Sequence, residues 1–280
     1  MLSRARHYVT HAPVWLVRTT LALLFFAPLY WMVVIATGTQ ASVYAFPPKL
    51  LPQFDFGPLI TVLTKTPWFR YVGNSVFITV TTIALVLLTS ILAGYALAEL
   101  KFPGKNLLFF LVLGVLMLPG QALLIPQYVL MYHLKLLNSY QGLIIPFAAN
   151  TAGIFLFRQF FMQIPASFRE VARLEGVSTF RYLLKVAVPM ARPAVFTVTL
   201  LTFISAWNEF QWPLIMTPTA NNLYPVELAL NLFYMNSFSG NWRVVTSAAA
   251  LGILPIVILF LFTQRYIIAG VIGGDAGNKE

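Results

Sequence analysis

The residues that could do chemistry in this chain are few, and the densest group lies between Glu170 and Pro189. Arg173, Glu175 and Gly176 lie in its first seven residues, and long apolar runs flank the segment on both sides. Carboxylates and guanidiniums at this density form ion pairs and docking contacts, but they supply no activated nucleophile. Crossing a membrane requires no such charged segment. The segment therefore predicts a docking site for a soluble partner.

The other candidates for catalysis or metal binding are isolated from one another. The chain has no cysteine, which excludes thiolate nucleophiles and cysteine metal sites. Gly104-Lys105 is the nearest fragment to a phosphate-binding loop, but position 99 is Glu and Asn106 follows the lysine, so the pattern fails. The histidines have no metal-ligand neighbours: His7, His11 and His133. We therefore predict no catalytic residues, no metal site and no ATP-binding site.

The composition is that of an integral membrane protein. Hydrophobic residues make up 59% of the chain, and only 9% of its residues are charged, whereas a soluble domain carries roughly a quarter. The net charge of +10 is compatible with nucleic-acid binding, but the basic residues lie in short loops between apolar runs. We therefore expect membrane lipid as a partner and no nucleic acid.

A helix that spans a bilayer needs about 20 consecutive apolar residues. Six segments qualify: residues 19–38, 72–97, 106–130, 141–163, 194–216 and 244–264. The first could instead be a cleaved signal sequence, because Arg4 and Arg6 precede it, but its apolar run is long for that role. We predict an all-α membrane protein with six transmembrane helices.

The distribution of lysine and arginine predicts the orientation of these spans. With the amino terminus in the cytosol, 13 of the 18 basic residues fall on the cytosolic side. These are Arg4, Arg6, Arg18, Lys101, Lys105, Arg158, Arg169, Arg173, Arg181, Lys185, Arg192, Arg265 and Lys279. The positive-inside rule then places both termini in the cytosol of a multi-pass protein of the cell membrane.

Four prolines interrupt the predicted spans: Pro119, Pro126, Pro146 and Pro255. Proline removes a backbone donor and kinks a helix, and membrane helices tolerate this where neighbours or a watery cavity satisfy the freed carbonyl groups. The residues alone leave two interpretations open. The prolines are either an ordinary feature of membrane helices or bends around a translocation pathway.

Glu209 is the ionisable residue of most interest within the spans, because a carboxylate at membrane depth is costly and tends to face a cavity or a polar partner. It follows Asn208 late in the fifth span. It is either a structural carboxylate near the interface or a residue that lines a pathway or contacts a delivering protein. Asn74 and Gln121 are candidates for the same polar route.

The charged loop is predicted to fold as a helix, a glycine turn and a second helix. Ser167 and Glu170 have the spacing of a capping box, which predicts a first helix over residues 168–175. Gly176 suits the left-handed conformation that ends many helices.

Ser178 can cap the second helix, which is predicted to run through Lys185. Its apolar residues have the i, i+3, i+4, i+7 spacing of one helical face: Phe180, Leu183, Leu184 and Ala187. Such a face requires burial, and three possibilities remain open: the protein's own helices, a partner, or lipid headgroups.

The loop resembles the signature loop of the permeases of ATP-binding-cassette (ABC) importers. That signature reads Glu-Ala-Ala, three residues, Gly, nine residues, Ile-x-Leu-Pro. The chain matches it with the spacing intact at Glu170, Ala172, Gly176 and Pro189, and departs conservatively at Val171, Glu175, Val186 and Val188.

Other stretches resemble the binding-protein-dependent carbohydrate-uptake branch of that family, in particular the maltose-type second permease. They are Asn74-Ser75, Ala206-Trp207-Asn208-Glu209-Phe210, Gln264-Arg265-Tyr266 and Ala269-Gly270. The resemblance implies a cytosolic tail at 1–18, a transmembrane domain at 19–271 with a coupling loop at 165–192, and a cytosolic tail at 272–280. Residues 273–280 depart from that subfamily's basic tail.

In such a family the loop is the coupling helix, which sits in a cleft of a separate ATP-binding subunit and transmits its closure. The predicted coupling residues are Glu170, Ala172, Arg173, Glu175, Gly176, Phe180 and Pro189. The resemblance also implies a second permease, two ATP-binding subunits that bind the ATP and Mg, and an external solute-binding protein. This chain would then carry no cofactor of its own.

The expected function is that of a non-catalytic permease subunit for a sugar or related polyol compound. One alternative keeps the class but changes the solute to an amino acid, polyamine or phosphate. A proton- or sodium-coupled transporter would need midplane ionisable groups, and a membrane-embedded enzyme would need a buried nucleophile–base pair or metal ligands. Two long outward loops, 39–71 and 217–243, could seat the binding protein or pack on the second permease.

Overall fold

The computed structural model of the chain describes residues 2–237 and 240–273, with side chains for residues 14–235 and 240–263. Every regular element in this part of the chain is helical, in agreement with the all-α prediction. The helices are α1 Leu2–Ala36, α2 Gln40–Val43, α3 Gly57–Lys65, α4 Trp68–Glu99, α5 Lys105–Leu116, α6 Leu124–His133, α7 Tyr140–Ile144, α8 Thr151–Met162, α9 Ala166–Leu174, α10 Thr179–Tyr182, α11 Val188–Met190, α12 Arg192–Trp207, α13 Gln211–Met216, α14 Val226–Leu232 and α15 Trp242–Gly273. Single turns of 3-10 helix lie at Gly120–Leu123, Ile145–Phe147 and Asn221–Leu223, and turns of π-helix at Leu183–Ala187 and Phe233–Ser237.

Three helical segments are long and apolar enough to cross a membrane: Val14–Ala36, Trp68–Glu99 and Trp242–Thr263. Three further candidates are helix pairs with a sharp bend. They are Lys105–Leu116 with Gly120–His133, bent by 97°, Tyr140–Phe147 with Thr151–Met162, bent by 44°, and Thr179–Met190 with Arg192–Trp207, bent by 78°. The described part of the chain therefore has three to six candidate spans, according to whether each bent pair counts as one.

Three of the predicted spans are not continuous helices. The segment predicted at 141–163 breaks after Phe147 and resumes at Thr151. The segment predicted at 106–130 breaks after Leu116, and Pro119 lies at the break. The segment predicted at 194–216 breaks after Trp207 and resumes at Gln211. Hydropathy alone missed these three breaks, because the segments on both sides of each break are apolar.

The other prolines differ in their effect on the helices. Pro146 lies in the 3-10 turn that precedes the bend of the fourth candidate span. Pro126 lies in the first turn of α6, where a proline leaves no helical hydrogen bond unmade. Pro255 lies inside α15, which continues through it.

The chain divides into two compact units. The first contains the residues up to Trp68 together with Leu230–Leu254. Within it, Ser247 Oγ donates a hydrogen bond to the carbonyl of Ala36 (3.2 Å), which ties α15 to the end of α1. Arg243 pairs with Asp55 in the same unit.

The second unit contains Phe69–Ala229 and the residues from Pro255 onwards. One of its core clusters joins α4, α8 and α12. Gly94 marks the closest approach of α4 to α8, because a Cβ at this position would lie 2.7 Å from Phe157 Cβ and 3.0 Å from the Arg158 nitrogen. Phe157 and Phe161 of α8 are fully buried in this cluster. The tight packing of α4 on α8 provides the support for the loop that follows α8.

Candidate functional site

The charged loop begins with α9, which starts earlier than predicted. Ala166 is its first residue, and the backbone amide of Phe168 donates to the carbonyl of Pro165 (3.2 Å). Ser167 therefore lies inside the first turn, and its side chain caps nothing. The capping-box prediction for Ser167 and Glu170 is wrong, because the extended backbone of Pro165 (φ −55°, ψ 138°) already marks the helix start.

The glycine turn is confirmed at Gly176, whose φ is +69°. The amide of Gly176 donates to the carbonyl of Arg173 (3.1 Å), and the amide of Val177 donates to the carbonyl of Ala172 (2.8 Å). This pair of bonds is a Schellman motif, which satisfies the last carbonyl groups of α9. The two helices of the loop are therefore joined by a hydrogen-bonded turn of fixed geometry.

The second helix is capped as predicted, since Ser178 Oγ accepts a hydrogen bond from the amide of Arg181 (3.4 Å). It runs past the predicted end at Lys185 to Met190, through the π turn. The predicted single apolar face is wrong. Leu183 and Ala187 are buried, whereas Phe180 and Leu184 are 62% and 51% exposed. Leu183 and Ala187 are four positions apart on a buried side, and Phe180 and Leu184, also four positions apart, lie on an exposed side.

The inner side of the loop belongs to the core of the second unit. Ala172, Tyr182, Leu183 and Ala187 are buried in the same cluster as Phe161. Burial of a large apolar side chain contributes about 1.5–3 kcal/mol. The loop is thus held against α4, α8 and α12, and a displacement of the loop must also displace the cluster.

The outer side of the loop is apolar and uncovered in this chain. Its exposed apolar residues are Phe168, Val171, Leu174, Phe180 and Leu184. A surface cavity of about 370 Å³ lies beside them, lined by residues that include Ser167, Glu175 and Val186. Of the predicted coupling residues, Glu170, Arg173, Glu175, Gly176 and Phe180 are exposed, Pro189 is half-buried and Ala172 is buried. We name this exposed side the docking face.

Glu209, the carboxylate predicted within the fifth span, lies in the break between α12 and α13. Its Oε1 accepts a hydrogen bond from the amide of Trp212 (2.9 Å), which satisfies a free N–H at the start of α13. The indole of Trp212 donates to the carbonyl of Gly142 (3.0 Å). Glu209 is thereby fixed at one position and half-buried.

Glu209 also lines two cavities of the second unit, one of about 130 Å³ and one of about 650 Å³. Asn150 and Trp212 line both as well. Gln121 lines the larger cavity, together with Gln127 and Gln211. The structure therefore brings together Gln121 and Glu209, which are 88 positions apart in the sequence.

Asn74 and Asn208 lie elsewhere. Asn74 is buried, and its side-chain amide donates to the carbonyls of Asn222 (2.8 Å) and Tyr224 (2.9 Å) while its oxygen accepts from the Tyr140 hydroxyl (2.7 Å). Asn208 is exposed and donates to the carbonyl of Ile204 in its own helix (2.9 Å). Neither residue lines the two cavities that contain Glu209.

Among the described residues, no three His, Asp or Glu side chains lie close enough together to hold a metal ion. The segments Gln264-Arg265-Tyr266 and Ala269-Gly270, which carried part of the resemblance, lie outside the described side chains. His7, His11 and the carboxyl-terminal tail are outside them as well.

Comparison with known families identifies the class of protein. The family described as "Binding-protein-dependent transport system inner membrane component" matches residues 14–273. The chain belongs to this family. It is therefore a permease of the ABC transporter class, embedded in the cell membrane.

The permease is similar to characterised relatives over most of its length. It is 35% identical to the arabinooligosaccharides transport system permease protein AraQ of Halalkalibacterium halodurans, over 83% of this chain and 82% of that protein. It is 30% identical to the sn-glycerol-3-phosphate transport system permease protein UgpE of Yersinia pestis, over 90% of this chain and 92% of that protein.

Solved structures share the fold of the permease. A chain from a bacterial ABC transporter involved in the import of the acidic polysaccharide alginate superposes with a TM-score of 0.81 at 27% identity, covering 92% of this permease and 97% of that chain. A second chain, from a bacterial alginate transporter in complex with a periplasmic protein, has a TM-score of 0.67 at 12% identity, over 94% of this permease and 98% of that chain, and shows the fold alone.

The permease also contains functional candidates that the sequence did not predict. Glu99 at the end of α4 forms an ion pair with Arg169 of α9, 70 positions away. Asn150 caps α8 by accepting a hydrogen bond from the amide of Gly153 (2.8 Å), and it lines both cavities. The one available signal was the rarity of acidic residues, since the chain has only 8, and Glu99 is one of them.

Proposed function

We propose that this permease forms half of the membrane pathway of an ATP-driven importer for a sugar or related polyol compound. In this assembly a second permease supplies the other half, two ATP-binding subunits supply the energy, and an external solute-binding protein delivers the solute. The observation that carries the proposal is the docking face, an apolar and charged surface fixed by a Schellman turn to a buried core.

The docking face has the chemistry of a protein interface. Phe168, Leu174 and Phe180 offer apolar anchors, and Leu174 is 89% exposed. Glu170, Arg173 and Glu175 provide charges beside these anchors, which favours orientation of a partner. An ATP-binding subunit that receives this face could move it, and the buried inner side of the loop would carry the displacement into α4, α8 and α12.

The proposed topology has both termini in the cytosol and six spans, at residues 19–38, 72–97, 106–130, 141–163, 194–216 and 244–264. The excess of basic residues in loops of that side supports this orientation. The transmembrane domain then extends over residues 19–271, with the coupling loop at 165–192 facing the ATP-binding subunits. Loops 39–71 and 217–243 face outward, where they contact the binding protein or the second permease.

The pathway is proposed to include the larger cavity. Its lining combines the carboxylate of Glu209 with the amide groups of Gln121, Gln127 and Asn150, next to the indole of Trp212. Carboxylates accept hydrogen bonds, and amides both donate and accept them, which suits a solute rich in hydroxyl groups. The names of the relatives, which refer to arabinooligosaccharides, sn-glycerol 3-phosphate and alginate, support a carbohydrate or polyol over an amino acid or polyamine.

The permease is proposed to be non-catalytic. ATP and Mg are bound by the partner subunits, and this chain carries no cofactor. Its contribution is the pathway and the docking face.

The test is solute-stimulated ATP hydrolysis by the purified complex with its binding protein, screened against sugars, polyols and amino acids. Stimulation by a sugar or polyol, with loss of stimulation in Gly176→Val, is the expected result. Uptake that follows a proton gradient and needs no ATP would overturn the proposal in favour of a secondary transporter. Stimulation only by amino acids would retain the importer class and reject the proposed solute.

A further inference from the structure

The end of α4 contains a buried carboxylate whose charge the helix itself does not favour. The side chain of Glu99 is 4% exposed. Glu99 is the last residue of α4, where the partial negative charge of the helix end repels an anion. A buried charge is retained only where it is paired. Helix stability alone thus does not account for glutamate at this position.

The cations around Glu99 have different roles. Lys105 Nζ donates to the carbonyls of Ala98 (2.9 Å) and Leu100 (3.0 Å), and Arg158 Nε donates to the carbonyl of Leu97 (3.2 Å). These two side chains satisfy the last carbonyl groups of α4. Arg169 of the coupling loop instead forms the ion pair with the Glu99 carboxylate.

Arg169 also joins the two helices of the loop to this site. Its guanidinium lies beside the side chain of Tyr182, which is buried in α10. Tyr95, one turn before Glu99 in α4, lies 6.5 Å from the ring of Tyr182 and 5.7 Å from that of Phe161. The ion pair therefore lies within a packed aromatic cluster.

The opposite end of α4 is fixed to a second segment. Asn74 holds the carbonyls of Asn222 and Tyr224, and Ser75 Oγ accepts a hydrogen bond from the amide of Val226 (2.8 Å). Between Ser75 and Glu99 the helix is unbroken, which at 1.5 Å per residue is a distance of about 36 Å. We name residues 222–226 the outer segment, in line with the proposed topology.

We propose that Glu99 is a positioning residue that ties the coupling loop to α4, so that α9 and the outer segment move as one body. Removal of Arg169 from Glu99 would leave a buried carboxylate without its partner, which is a costly state. A displacement of α9 by the ATP-binding subunits therefore carries α4 with it. The proposal rests on the proposed function and adds the connection by which the loop reaches the opposite end of the permease.

The test uses the absence of cysteine from the chain. Asn222→Cys introduces a single thiol in the exposed part of the outer segment, and the rate of its reaction with a membrane-impermeant maleimide is measured in the assembled complex. Rates with no nucleotide and with ATP plus vanadate are compared. In the background that retains Glu99 and Arg169 we expect the two rates to differ.

Charge reversal at either partner separates pairing from general stability. Glu99→Arg and Arg169→Glu are each expected to abolish the nucleotide-dependent difference, and the double variant, which restores an ion pair of opposite polarity, is expected to recover it. The matched control is Lys101→Glu, an exposed charge two positions beyond Glu99, which should leave the difference unchanged. Co-purification of the ATP-binding subunits is measured for every variant, and Glu99→Gln replaces Glu99→Arg if the latter does not assemble.

The outcomes distinguish failure of this inference from failure of the proposed function. If Gly176→Val abolishes the rate difference but both charge reversals preserve it, the Glu99–Arg169 connection is rejected and the coupling loop is retained. If Gly176→Val also preserves it, the coupling loop itself is rejected. A labelling rate that does not respond to nucleotide in any variant rejects movement of the outer segment. If the single variants lose the rate difference and the double variant does not recover it, pairing of Glu99 with Arg169 is rejected as the cause.

Discussion

The carboxylate of Glu209 accepts a hydrogen bond from the backbone amide of Trp212, at a distance of 2.9 Å, while it faces two cavities. The two roles considered for Glu209, structural and pathway-lining, are therefore compatible in one side chain. The hydrogen bond stabilises the start of α13, and the same side chain lines both cavities.

Substitutions at Glu209 separate these two roles. Glu209→Ala removes the acceptor and should lower stability by about 0.5–2 kcal/mol, the usual cost of a lost helix cap. Glu209→Gln keeps an acceptor but removes the charge, so we expect near-normal thermal stability with reduced solute uptake. Thermal unfolding in detergent and uptake in proteoliposomes measure the two effects. Normal uptake by Glu209→Gln would leave only the structural role.

Gly176→Val should disrupt the turn of the coupling loop. A non-glycine residue in the left-handed region costs roughly 1–2 kcal/mol, and a β-branched residue is especially unfavourable at positive φ. We expect an assembled complex whose ATP hydrolysis no longer responds to solute. Gly176→Asn, which tolerates positive φ, should retain the response.

A matched control for Gly176→Val is Gly73→Ala in α4, where a Cβ would meet no atom within 4 Å and φ is not left-handed. Alanine is favoured over glycine inside a helix by about 0.5–1 kcal/mol, so this variant should be as stable as the original or more stable. A response lost equally in Gly73→Ala and Gly176→Val would contradict the role of the turn.

Alanine substitutions at Phe180 and Leu183, which are three positions apart, should cause different kinds of defect. Phe180→Ala removes an exposed side chain and should change stability by no more than about 0.5 kcal/mol, while recovery of the ATP-binding subunits on co-purification falls. Leu183→Ala creates a cavity in the core and should cost about 2–5 kcal/mol. The measurements are thermal unfolding of the isolated permease and partner recovery. Equal partner recovery with and without Phe180 would remove this residue from the docking face.

Glu227 predicts a pH dependence of stability. Burial raises the pKa of the Glu227 carboxyl in α14 above its usual range. The folded state then binds a proton more readily than the unfolded state, so stability increases as pH falls from above the folded pKa to the unfolded pKa. Glu227→Gln should therefore be more stable than the original above the raised pKa, and the difference should disappear in acid.

The measurement for Glu227 is a series of thermal unfolding curves from acidic to neutral pH. Glu170→Gln is the control, because Glu170 is exposed on the docking face. The stability difference between this variant and the original protein should not follow the pH dependence expected for Glu227→Gln. A Glu227→Gln variant that is less stable at neutral pH would show that the carboxylate has a favourable partner.

Local features of the loop were predictable from the sequence, and long-range features were not. Gly176 and Ser178 act within three or four residues of themselves, so their turn and cap could be inferred from spacing. The burial of Leu183 and the exposure of Leu184 could not be inferred in this way, because they depend on which side of the helix is covered by residues distant in the sequence, such as Tyr95 and Phe161. The partners of Asn74 lie 148 and 150 positions away, and those of Glu99 and Gln121 are likewise distant, so no local pattern contains them.

The π turn at Leu183–Ala187 means that the signature of the coupling loop contains one residue more than an uninterrupted α-helix would need. A single-residue insertion rotates every later position of an α-helix by about 100°. By absorbing that residue within one turn, the permease keeps Ala191 and Ala194 buried against the same cluster as Ala187. Deletion of Lys185 would thus do more than shorten an exposed loop. It would rotate the residues that follow, and so change which side chains of α12 face the cluster.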